Sequence, residues 1–116
     1  MVEKLLLFEP DLLFSSRIEG AATRFQLEVK VTVTVDELQR SVKESAPRML
    51  LVDLDAMPAG VPLSELVHGR CRVVGYYSHA DSKLATQALA SGFQMVIPRR
   101  SFMGHLNKLL ADIGSG

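Results

Sequence analysis

The chain has one cysteine and no tryptophan among its 116 residues, and neither sign of charge is in excess, with thirteen Lys and Arg against thirteen Asp and Glu. A lone Cys71 makes no internal disulfide and leaves no cysteine cluster for zinc or iron–sulfur binding, so the reducing cytoplasm is the expected setting. Zero net charge removes the electrostatic drive toward nucleic acid or an anionic membrane, and an aromatic content of 6% offers little stacking surface for single strands. The apolar runs, such as Leu5 to Phe8 and Met49 to Val52, are far too short to span a bilayer, and Glu3 with Lys4 interrupts a signal-peptide reading. No GxGxxG or GxxxxGK loop occurs, which disfavours nucleotide binding of the Rossmann or P-loop type. What is present is apolar material, 47% of residues, in a length that suits a single domain over residues 1–116.

Leu5 to Phe8 reads as a strand buried on both faces and stopped by Glu9, Pro10 and Asp11. Asp11 is placed to cap a helix over about residues 12–24 whose buried stripe is Phe14, Ile18, Ala21 or Ala22 and Phe25. Leu27 to Val33 alternates, with Glu28, Lys30 and Thr32 on the polar side, as an edge strand does. Thr34 and Glu37 form a capping box for a second helix ending near Glu44. Met49 to Val52 reads as a central strand ending at Asp53, followed by a loop with Pro58, Gly60 and Pro62 and a short helix before Gly69. Val73 to Tyr77 predicts a fourth strand, and Asp81 or Ser82 a cap for a helix that stops at Gly92. Phe93 to Ile97 predicts a fifth strand, and Ser101 caps a last helix with Phe102, Leu106, Leu109, Leu110 and Ile113 on its apolar side.

Five strands alternating with five helices imply an α/β fold, a doubly wound parallel sheet covered on both faces. Ligands in such sheets gather at the carboxyl ends of the strands, here Glu9 with Asp11, Asp53 with Asp55, Ser78 with His79, and Arg99 with Arg100. Carboxylates, a hydroxyl and a guanidinium on one rim suit a hard cation and a phosphoryl group, with an aspartate as phosphate acceptor.

At these residues the sequence resembles the receiver domain of two-component response regulators, of the chemotaxis type, over nearly its whole length. Pro47 stands six residues before Asp53 in PRMLLVD, Met57 and Pro58 follow it, and Ser78 in VVGYYSH takes the family's Ser/Thr position. ALASG ends at Gly92, and Arg99 falls seven residues later, where receivers carry a lysine. The resemblance implies a flavodoxin-like sheet with strand order 2-1-3-4-5, Asp53 as phospho-acceptor assisted by Ser78 and Arg99, and magnesium as the candidate metal, with no other cofactor expected. It also implies a signalling partner such as a histidine kinase, and a partner or homodimer contact on the face made by the family's fourth helix, fifth strand and fifth helix. That face is about residues 82–113 here, with Phe102, Met103 and His105 as the candidate contact residues.

The departures point to an atypical or pseudo-receiver. The second of the two acids that follow the first strand in receivers is Pro10, which has no side-chain ligand atom, leaving Glu9, Asp11 and Asp53 as the magnesium candidates. Arg99 replaces a compact ammonium by a planar fork, His79 replaces a small residue, and Val96 stands where many receivers carry a switch aromatic.

Plainer roles exist for most of these groups. Asp11 suits a helix cap and Glu9 a turn, Ser78 can bond nearby backbone, and Arg100 can be a solvated charge. The Arg99 ion pair is expected to hold Asp53 ionised without metal. His68, His79 and His105 are too far apart in sequence for a shared metal, and Met57, Met95 and Met103 read as filler. No Ser-His-Asp or Cys-His arrangement emerges, so an enzyme is not expected. The favoured function is a regulatory protein-interaction module with weak or no aspartate phosphorylation. The alternatives are a working receiver phosphorylated on Asp53 by a histidine kinase and a flavodoxin-like cofactor-binding domain.

Overall fold

The apolar runs become the middle of a parallel sheet in the computed structural model of the protein, which describes residues 4–58, 60–66, 69–78 and 83–114. β1 (Lys4–Phe8) lies beside β3 (Met49–Asp53), with Leu5 opposite Met49 and Phe8 opposite Val52. Neither run alternates, because helices cover both faces and every β3 side chain is buried. β2 (Glu28–Thr32) pairs outside β1, β4 (Arg72–Tyr77) outside β3, and β5 (Met95–Pro98) outside β4. The order is β2-β1-β3-β4-β5, as expected for a flavodoxin-like sheet.

α1 (Leu12–Arg24) and α4 (Arg99–Gly114) cover one face, burying Phe14, Ile18, Phe102, Leu106 and Leu110 against Leu5, Leu7, Leu51 and Tyr76. α2 (Val35–Ser45) and α3 (Lys83–Ala90) cover the other, where Leu38, Val42 and Ala88 meet Leu6, Phe8, Val52 and Phe93. The caps follow the sequence. Asp11 accepts from the backbone N–H groups of Leu13 and Phe14, and Thr34 accepts from that of Glu37, whose carboxylate reaches back to the Val33 N–H. Gly92, at φ +106°, lets the chain leave α3 in the left-handed conformation that glycine adopts without penalty. No helix among the described residues is long and apolar enough to cross a membrane.

Four expectations are corrected. The short helix expected before Gly69 is a 3₁₀ turn, Leu63–Leu66, and a second 3₁₀ turn, Leu54–Ala56, which was not expected, follows β3 directly, capped by Asp53. The last helix starts at Arg99 and not after Ser101, which lies inside its first turn, because the chain turns helical directly after Pro98. β5 starts at Met95, since residues 91–93 close α3 through hydrogen bonds such as Phe93 N–H to the Ala88 carbonyl. Thr32 does not face solvent: it is buried, and its hydroxyl donates to the Leu7 carbonyl at 2.9 Å. The expected cap at Asp81 or Ser82 lies outside the described residues, as do His68 and His79.

Candidate functional site

Strand side chains alternate between faces, so Leu5 and Leu7 put Glu9 on the α1/α4 side, Met49 and Leu51 put Asp53 there, and Val74 puts Tyr76 there. Ile97 does the same for Arg99 at the start of α4. The four groups meet. Arg99 Nη2 lies 3.1 Å from Glu9 Oε1 and 3.7 Å from Asp11 Oδ2, and Nη1 lies 3.3 Å from Asp53 Oδ2. Tyr76 donates its hydroxyl to Glu9 Oε1 at 2.8 Å.

Glu9 is therefore no turn acid. It is 1% exposed, and its second oxygen accepts the Asp11 N–H at 3.0 Å. Asp11 is mainly the α1 cap: its Oδ1 takes two backbone N–H groups, and its side chain is 55% exposed, which screens the longer contact to Arg99. Asp53 is buried and caps the first 3₁₀ turn by accepting from the Asp55 N–H at 3.1 Å. Asp55 in turn accepts the Ser78 backbone N–H, tying β3 to the end of β4. Ser78 is exposed and joins the rim through its backbone.

Burial first, and then a hydrogen bond with Glu9 and repulsion from its charge, push the Asp53 carboxyl up to about 7, against the pull of Arg99. The expectation that Arg99 alone holds Asp53 ionised is thus corrected: two carboxylates this close in a buried setting outweigh one partly exposed guanidinium. Burial works against the Arg99 charge too, yet the attraction of Glu9 and Asp53 wins and holds it above its ordinary value. Burial and the charge of Glu9 raise the Tyr76 phenol far above its usual range, so it stays a donor.

Two aromatic groups were not among the candidate site residues. The Arg99 guanidinium lies 4.0 Å from the Phe14 ring centroid and 5.6 Å from that of Tyr76, so rings floor the cation. Strand parity was the available signal for Tyr76, which sits opposite Asp53 in the β3–β4 register. Phe102 is corrected in the opposite sense: expected on an exposed contact face, it is fully buried, its ring 4.4 Å from Tyr76. Met103 is partly buried, while His105 is exposed with Nδ1 3.0 Å from the Ser101 carbonyl. Met95, expected as filler, is 39% exposed on the edge strand. Cys71 is buried, which pushes its thiol up to about 11 and leaves it unreactive at neutral pH.

The sequence matches no protein-family model and no curated protein. Solved structures do match. A response regulator from Thermotoga maritima superposes with a TM-score of 0.78 over 100% of both chains at 11% identity. An orphan response regulator of H. pylori gives 0.76 over 97% of this chain and 94% of its own at 17% identity, and a response regulator receiver protein from Burkholderia phymatum 0.77 over 97% and 95% at 14%. The chain has the receiver fold.

Within the receiver fold, the residues present do not fit a magnesium ion. Pro10 offers no side-chain ligand atom, and each carboxylate oxygen of Glu9, Asp11 and Asp53 already faces a donor of this chain: Tyr76 and Arg99, the Asp11 N–H, the α1 N–H groups, the Asp55 N–H, and Arg99 again. Magnesium demands oxygens in near-octahedral geometry at about 2.0–2.1 Å, which a guanidinium between the carboxylates prevents. Among the described residues no group of three or more His, Cys, Asp or Glu side chains is arranged to hold a metal. Val96, at the position of the switch aromatic, is partly buried on the α2/α3 face opposite Gly75.

Proposed function

We propose that the chain acts as an atypical receiver, a regulatory module working through protein contacts, with weak or no phosphorylation of Asp53. The carrying observation is Asp53 itself, 5% exposed, with Oδ2 on Arg99 and its carboxyl pushed up to about 7. Attack on phosphorus needs an ionised and reachable carboxylate. Near neutral pH this one is partly protonated, and its outer oxygen faces a guanidinium. The role is that of a signalling module and not an enzyme. Its output passes to a protein partner, or a second copy of the chain, on the face formed by the last two helices and the strand between them. Met95, Met103 and His105 offer surface there, and Phe102 packs beneath it.

Intact-mass measurement after incubation with acetyl phosphate and magnesium tests the reading. The expected spectrum shows the unmodified chain. A phosphoryl adduct that disappears in Asp53→Asn would overturn the reading and support a working receiver charged by a histidine kinase.

A further inference from the structure

We infer that Arg99 is a tethered counter-cation: its guanidinium occupies the acidic rim in place of a divalent ion and keeps such an ion out. The inference rests on reading the rim as a regulatory one, and it concerns what controls that rim. One guanidinium reaches one oxygen of each of three carboxylates, at 3.1 Å for Glu9, 3.3 Å for Asp53 and 3.7 Å for Asp11. These acids come from the end of β1, the loop before α1 and the end of β3, so a single side chain joins three segments. The oxygens that Arg99 does not touch take backbone N–H groups of Asp11, Leu13, Phe14 and Asp55. A metal would have to strip the Tyr76 hydroxyl from Glu9 and Arg99 from Asp53, and would then stand beside a positive charge.

The position of Arg99 is built and not incidental. It is the first residue of α4, directly after Pro98, so its backbone is set by the helix on one side and by strand pairing on the other. Its side chain is 23% exposed and lies on the Phe14 and Tyr76 rings, which hold the fork in line with the carboxylates. Arg99 meets Glu9 and Asp53 through two separate nitrogens of one planar fork, whereas a lysine ammonium presents its three donors from a single nitrogen. The rim consequently keeps its arrangement whatever the divalent ion concentration around it.

The experiment titrates the intact chain with magnesium by calorimetry and with manganese by electron paramagnetic resonance, with no phosphoryl donor present. The wild-type chain is expected to show no saturable site at ~1 mM metal and no rise in melting temperature, whereas Arg99→Ala gains a site at least ~10-fold tighter and a metal-dependent rise. Saturable binding by the wild-type chain at that concentration overturns the inference, as does a folded Arg99→Ala that binds no better than wild type. Arg99→Gln is read the same way should the alanine variant fail to fold, and the wild-type titration decides on its own. Metal binding without a phosphoryl adduct would sink this inference alone. An adduct formed by a chain that binds no metal would sink the proposed function alone.

Discussion

One face of the sheet carries the Glu9, Asp53 and Arg99 cluster at its carboxyl end, and the described residues form no such cluster on the other, although both are built from the same strands. On the α1/α4 face, helices of 13 and 16 residues cover a layer in which Phe14, Tyr76 and Phe102 lie within 6.1 Å of one another by ring centroid, and above it sit Glu9, Asp53 and Arg99. On the α2/α3 face, helices of 11 and 8 residues and two 3₁₀ turns cover a layer of mainly aliphatic side chains with Phe8 and Phe93 among them, which continues through Leu54 to the end of β3. Alternation along each strand makes the difference, because only one parity places a charged residue after the last apolar one. Among the described residues the rim is therefore no ring of charge around the sheet end. It is a device of one face, resting on aromatic rings and joined to the first residue of α4.

The largest expected effect breaks the charged face from beneath. Phe102→Ala removes a fully buried ring against Tyr76 and should cost about 3–5 kcal/mol in denaturant unfolding. Metal titration of the same variant would show whether the rim loosens with its floor.

The faces should also differ in their response to pH. Asp53 is raised from 3.8 to about 7 in the folded chain, so between those values the folded state holds a proton that the unfolded state has released. Stability should fall as pH rises from about 4 to 7 and then level off, by about 1.4 kcal/mol per unit of the difference in pKa. Urea unfolding at pH 5 and pH 8 checks this, and Asp53→Asn should lose most of the slope. An equal slope in that variant would place the titrating group elsewhere.

On the opposite face the sharpest probe is steric. A Cβ added at Gly75 would lie 2.9 Å from Leu54 Cδ1 and 3.2 Å from Phe93 Cδ2, so Gly75→Ala should cost about 1–3 kcal/mol without altering the pH slope. Thr34→Ala, which removes the α2 cap, should cost about 1 kcal/mol. The smallest effect is a gain. Ala46 ends α2 at φ +43°, a left-handed conformation that glycine adopts more easily, so Ala46→Gly should raise the free energy of unfolding by about 1 kcal/mol or less, read from urea denaturation.

Much of the fold was legible because its signals are local. The capping residues Asp11 and Thr34, the unalternating runs at Leu5 and Met49, and Gly92 each name a boundary within a few residues of itself. The site was legible as a set of strand ends, and Glu9, Asp11, Asp53 and Arg99 do meet. What was missed depends on contacts across the chain. Tyr76 finds Glu9 across 67 residues, and Phe14 finds Arg99 from a different helix. Phe102 already stood on the apolar side of its predicted helix, and that periodicity was the better guide than its position on a contact face.

The sequence by itself determined the strand and helix order, the residues at the rim, and the absence of a side-chain ligand atom at Pro10, because these follow from periodicity, capping and residue chemistry. Only the tertiary structure decided the charge state and occupancy of that rim. Burial cannot be read from one residue's neighbours in sequence, and it is burial with Glu9 that raises Asp53 despite Arg99. Nor does sequence spacing show that one guanidinium reaches three carboxylates, since that depends on where β1, β3 and α4 end relative to one another in space.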